Sequence, residues 1–185
     1  LTLITPGASP GNDPIPLIQV SGVSAGDTVR IYTDSSCTAQ VASGTAGGST
    51  ISPNTSSLSD GAYTFYARAI DLATNAGPCS TANVSYLSDT APPSTPGSLT
   101  NRNVGVSLYY SPFYFWSPST DGGVGVDRYE VAVGTTPGGN DVMSWTNVLL
   151  KTGHFFGGLT LTDGLTYYFS VRAVDSVGNE SAPAI

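Results

Sequence analysis

Apolar and polar residues alternate in short runs along this chain, and helical spacing is nearly absent. Runs rich in Val, Tyr, Phe and Thr are separated by clusters of Gly, Pro, Asn, Asp and Ser, the pattern of an all-β sandwich or barrel. The alternation is clearest in two places. Tyr63, Phe65, Ala67 and Ala69 fall on one face of a strand, and Tyr167, Phe169, Val171 and Ala173 fall on one face of another. Successive strand residues point to opposite sides of a sheet, so these sets are predicted to be buried and Arg68 and Arg172 to point outward. Each run follows an Asp-Gly turn, Asp60 with Gly61 and Asp163 with Gly164, where glycine accepts a backbone conformation that a Cβ would hinder.

The two runs are copies of one another. Leu58, Gly61, Tyr63, Phe65, Arg68, Asp71 and Asn75 correspond to Leu161, Gly164, Tyr167, Phe169, Arg172, Asp175 and Asn179, with one single-residue offset. An internal repeat of this kind marks a duplicated structural unit. A second matching pair of strands lies upstream, at 28–33 and 128–133. Further strands are predicted at 15–20, 50–52, 80–87, 107–116, 144–150 and 154–161, giving about seven per half, as a sandwich of roughly 100 residues requires. Pro92, Pro93 and Pro96 interrupt the pattern, and proline lacks the N–H that a central strand must donate. The stretch 89–96 is therefore a connector between a domain at 1–90 and a domain at 91–185. The fold class is two tandem antiparallel β-sandwiches.

Composition narrows the partners. The chain has 185 residues, 39% hydrophobic, enough for a core, but only 10% charged, with a net charge of -7. Phosphate backbones are bound by clustered Lys and Arg. Six basic residues scattered along the chain cannot build such a footprint, so nucleic acid is a poor partner and anionic membrane surfaces are disfavoured. No apolar run approaches the ~20 residues that span a bilayer. The termini read as those of a segment cut from a longer protein.

At this point two resemblances enter. The second half is similar to a fibronectin type III domain, through Pro92, Pro93 and Pro96, Trp116, the run Asp127 to Val131, and Leu161, Gly164 and Tyr167 followed by Val171 and Ala173. The Leu–Gly–Tyr spacing resembles a tyrosine corner, whose hydroxyl bonds backbone upstream of its strand. Residues 134–139 resemble a loop of bacterial versions. The first half resembles a bacterial Ig-like repeat through residues 20–29 and 71–75, departing from the usual Asp-x-Ala-Gly-Asn loop at Leu72, Ala73 and Thr74. The resemblance to such repeats implies a disulfide between Cys37 and Cys79, the alternative being two free thiols. Strand mapping sets Cys37 just after the third strand and Cys79 just before the seventh, toward opposite ends of the sandwich. A bridge therefore requires residues 35–44 to fold back.

Candidate chemistry is sparse. Two cysteines and the single histidine, His154, lack the ligand spacing of a zinc site. His154 as a general base would need a nucleophile and an orienting group, and no motif supplies them, so no catalytic residue is assigned and the chain is read as non-catalytic. Tyr110, Tyr114 and Trp145 are candidates for stacking on a ligand, against the alternative that they fill the core. Asp71, Asp89 and Asp175 are candidates for calcium, against the alternative that they cap turns. No other cofactor is expected. Asn54, Asn83 and Asn179 begin short glycosylation patterns that also recur by chance. The expected function is a binding or spacer module of an extracellular or cell-surface (or periplasmic) bacterial adhesin or fibre, contacting protein or glycan. The alternatives are an accessory module pair of a secreted glycan-degrading enzyme and a purely structural stalk.

Overall fold

The computed structural model describes residues 1–102 and 112–185. It is all-β and antiparallel, and its contacts divide into Leu1–Thr90 and Ala91–Ile185. The first unit contains β1 (Thr2–Thr5), β2 (Leu17–Ser21), β3 (Thr28–Tyr32), β4 (Gln40–Thr45), β5 (Thr50–Ile51), β6 (Gly61–Ile70) and β7 (Val84–Ser88). They form a three-stranded sheet, β1-β2-β5, and a four-stranded sheet, β4-β3-β6-β7. The core between them joins Ile18 and Val20 of β2 to Val29 and Ile31 of β3, Phe65 and Ala67 of β6, and Tyr86 of β7. The period-two pattern of β6 thus buries Phe65 and Ala67 while Arg68 lies on the other face.

The second unit repeats the plan with β8 (Gly97–Asn101), β9 (Phe113–Ser117), β10 (Val126–Gly134), β11 (Met143–Asn147), β12 (Gly153–Phe155) and β13 (Tyr168–Asp175). Its sheets are β12-β9-β8 and β11-β10-β13. Trp116, Tyr129, Val131, Val133, Phe156, Val171 and Ala173 share its core. Isolated bridges from Val174 to Glu180 and from Val171 to Ala184 continue the ladder beyond β13. In both units the fourth strand in that unit pairs with the third, β4 with β3 and β11 with β10.

Three described strands escaped the alternation pattern: β1, β4 and β8. β4 is rich in Ala, Ser and Gly, so its polarity contrast is weak. Gly44 has a packing reason: a Cβ there would sit 2.8 Å from Cδ1 of Ile51. The strand expected at 107–116 is observed only as β9, and its first residues, with Tyr110, lie outside the described residues.

Both repeat tyrosines make the upstream backbone bond expected of a tyrosine corner. Tyr63 donates its hydroxyl to the Ser59 carbonyl at 3.0 Å. The Tyr167 hydroxyl accepts from the Thr162 N–H at 2.8 Å. The repeated Asp and Asn also gain a physical meaning. Asp71 accepts the Asn75 N–H at 2.8 Å and the Asn75 side-chain amide at 2.9 Å. Asp175 accepts the Asn179 N–H at 2.8 Å, the Val177 N–H at 2.9 Å and the Asn179 amide at 2.7 Å. A carboxylate four residues before an asparagine clamps the turn that reverses the chain after each long strand.

Candidate functional site

The outward faces of the two long strands carry the chemistry. In the second unit Glu130 of β10 stands directly opposite Arg172 of β13. Arg172 donates to Glu130 through Nη2 at 2.7 Å and Nε at 3.0 Å, and also bonds Glu180. Its guanidinium lies over the Trp145 ring, 4.4 Å from the centroid. Arg128 donates to the other Glu130 oxygen at 2.9 Å and to Asp127 at 3.1 Å. Burial works against ionisation of Glu130, but the hydrogen bonds and charges of Arg172 and Arg128 outweigh it and hold the carboxyl below its ordinary range.

The same ladder position in the first unit is built differently. Arg30 of β3 stands directly opposite Arg68 of β6. These are the basic residues of a half that also carries Asp13, Asp27, Asp34, Asp60, Asp71 and Asp89. Among the described residues no salt bridge reaches either arginine, and Nε of Arg68 is buried without a hydrogen-bond partner. Arg30 is exposed and lines a pocket of about 420 Å³ with Gly26, Thr28, Ile70, Asp71, Leu72 and Thr74. Gly26 has φ +93°, and Leu72 leans on it so closely that a Cβ would meet its side chain at 3.0 Å. Asp71 in that wall has its pKa lowered, first by the Asn75 side chain and then by the Asn75 N–H.

Cys37 and Cys79 form a disulfide with Cα atoms 5.7 Å apart. The apparent separation of the two cysteines disappears in three dimensions. β3 ends at Tyr32, opposite Tyr66 in the middle of β6. Ser80, ahead of β7, already bonds both ways with Ala67, so Cys79 lies beside β6 near the same height. The intervening turn closes around Asp34, whose oxygens accept the N–H groups of Ser36, Thr38 and Ala39 at 2.9, 3.0 and 2.6 Å. The Ala39 N–H is the leading cause of a lowered Asp34 pKa.

The other residues singled out in the sequence are scattered. Tyr114 packs against the second core, its ring stacked 4.8 Å from Phe169 and edge-on to Phe156 at 5.8 Å. Trp145 is half-buried beneath Arg172. His154 meets Phe156 edge-on at 4.9 Å, and burial, with the charge of Lys151, lowers its pKa. Asp71 and Asp175 sit in their repeat turns, and Asp89 is 1% exposed with its N–H on the Gly11 carbonyl. Within the second unit, carboxylate oxygens of Asp121 and Asp175 approach within 4.8 Å, and Oδ1 of Asp121 is buried without a hydrogen-bond partner. The paired arginines escaped sequence analysis because Arg30 and Arg68 are 38 positions apart and only strand register sets them face to face.

This arrangement defines a class: tandem antiparallel sandwiches with the fibronectin type III fold. A crystal structure of the chicken CNTN1 FN1-FN3 domains aligns with 96% of this chain and 63% of its own, with a TM-score of 0.54 and 14% identity. The fibronectin(III)-like modules of CbhA from Clostridium thermocellum align with 99% of this chain and 90% of theirs, with a TM-score of 0.46 and 17% identity. In sequence, 128 residues, 65% of the chain, are 38% identical to Exoglucanase B of Cellulomonas fimi, and the match spans 10% of that protein. No family model matches the chain.

Proposed function

We propose that this chain is a non-catalytic accessory pair within a secreted glycan-degrading enzyme, serving as spacer and glycan contact outside the cell. The observation that carries this reading is the 38% identity to part of Exoglucanase B. The disulfide is consistent with an oxidising compartment. The chain's own chemistry also supports a non-catalytic role. His154 packs edge-on against Phe156, and the Glu130 carboxylate is held ionised by two arginines. A general acid needs the opposite environment, one that raises its pKa. The adhesin or fibre reading uses the same sandwiches but lacks a relative of that kind among the matches described above.

Calcium enters this proposal as a stiffener of the second unit. Asp121 and Asp175 would supply carboxylate oxygens, with backbone carbonyls and water completing the roughly six to eight that calcium takes. Micromolar to millimolar calcium should then raise the melting temperature of the pair, and Asp121→Asn should abolish the increase.

The accessory reading is tested in the parent polypeptide, assayed with and without residues 1–185 on insoluble and soluble forms of one polysaccharide. Loss of activity on the insoluble form alone is the expected result. Equal activity of the two proteins on both forms would sink the reading.

A further inference from the structure

We infer that Arg30 and Arg68, with the pocket beside them, form a binding site for an anionic saccharide bearing a uronate or sulfate group. The inference rests on the accessory reading for the saccharide and on this chain's geometry for the anion.

Like charges placed directly opposite on adjacent strands repel and are destabilising. The first unit nevertheless sets its two basic residues across from one another on β3 and β6. At the same position the second unit pairs arginine with glutamate and stacks the arginine on Trp145. The first unit leaves both cations without a carboxylate partner among the described residues, and one guanidinium nitrogen, Nε of Arg68, is buried and unbonded. An oxyanion bound at the exposed Arg30, on the strand face it shares with Arg68, would offset the repulsion between the two cations.

The adjoining pocket fits the rest of a sugar. Its volume, about 420 Å³, lies within the range of small-molecule sites. Ile70 and Leu72 offer apolar wall to the C–H face of a ring, and Thr28 and Thr74 offer hydroxyls to its oxygens. The one anionic lining residue, Asp71, has its carboxylate committed to Asn75. An anion of one charge therefore meets the cations of the sheet and a turn-clamped carboxylate in the pocket wall.

The test is calorimetric and NMR titration of the intact chain with three oligosaccharides of equal length, one carrying uronates, one carrying sulfate esters and one neutral. Inorganic sulfate serves as a competitor. Saturable binding of either anionic sugar is expected, with resonances of β3 and β6 shifting. Arg30→Gln should weaken it about tenfold or more, while Lys151→Gln leaves it unchanged. The arm that binds more tightly identifies the anion as carboxylate or sulfate. Equal affinity for the neutral sugar, insensitivity to Arg30→Gln, or displacement by inorganic sulfate as effective as the sugar itself would each overturn the site. None of these results bears on the parent enzyme's use of insoluble substrate, so the two proposals fail separately.

Discussion

One ladder position, in two copies of the same sandwich, carries opposite electrostatics. In Ala91–Ile185 the facing residues are Glu130 and Arg172, tied into a network with Arg128, Asp127 and Glu180 and covered on one side by Trp145. In Leu1–Thr90 they are Arg30 and Arg68, without an ion pair among the described residues. The duplicated β-strand pattern preserved the buried faces, because the core needs Phe65 where the other unit needs Phe169. It left the outer faces free to diverge. The second unit ties its outer face together with ion pairs, and the first carries a disulfide, Cys37 to Cys79, and two facing arginines. The lesson is that a sandwich constrains one side of each strand tightly and leaves the other available for stability or for binding.

The comparison breaks most visibly at the disulfide. Its cysteines are 42 positions apart, and closing a loop of that size restricts the unfolded chain by about 4 kcal/mol in the chain-entropy model. Replacing both cysteines with serine should lower the melting transition of the first unit and leave that of the second in place, as read by calorimetry. A uniform decrease in both transitions would show that the units do not unfold independently.

Next in size is the ion network. Glu130→Ala strands two partly buried arginines, and the second unit should lose about 2 kcal/mol, less than for a fully buried pair because Arg172 and Glu130 retain some solvent contact. The same residue predicts the response to acid. The folded pKa of Glu130 is depressed, so its contribution is present above the unfolded value of about 4.3 and is lost as pH falls through the lower folded value. Chemical denaturation followed from pH 7 downward should show the second unit weakening below about pH 4.3, and Glu130→Gln should flatten that decline.

Smaller effects sharpen the contrast. Arg30→Glu gives the first unit the charge pairing of the second, and should stabilise it by up to about 1 kcal/mol while abolishing anion binding. Tyr63→Phe and Tyr167→Phe each remove one hydroxyl-to-backbone bond and should cost roughly 0.5–1 kcal/mol in their own units. A loss in only one unit would mean that the two corners, one donating and one accepting, differ in worth.

Much of the architecture was legible beforehand. The alternation through residues 63–71 and 167–175 marked β6 and β13 and their buried sides, since a half-buried strand must repeat every two residues. The repeat and the prolines suggested a duplicated sandwich, and the Leu–Gly–Tyr spacing of the second half suggested its tyrosine corner. β4 was not visible, because Ala42, Ser43 and Gly44 carry little polarity contrast and Gly44 answers to Ile51 rather than to its own strand. Tyr114 and Trp145 could be recognised as aromatic but not placed, as alternation gives a face and not the neighbour across it.

What the sequence by itself determined is local: most strands, the inward and outward faces of the two repeated ones, and a charge balance unsuited to nucleic acid. Only the tertiary structure decided which residues meet. It brought Cys37 level with Cys79 because β3 is short, β6 is long and the segment before β7 runs alongside β6. It set Arg30 against Arg68 and Glu130 against Arg172 because antiparallel register pairs residues far apart in the chain, and that register follows from the packing of whole sheets rather than from any one segment.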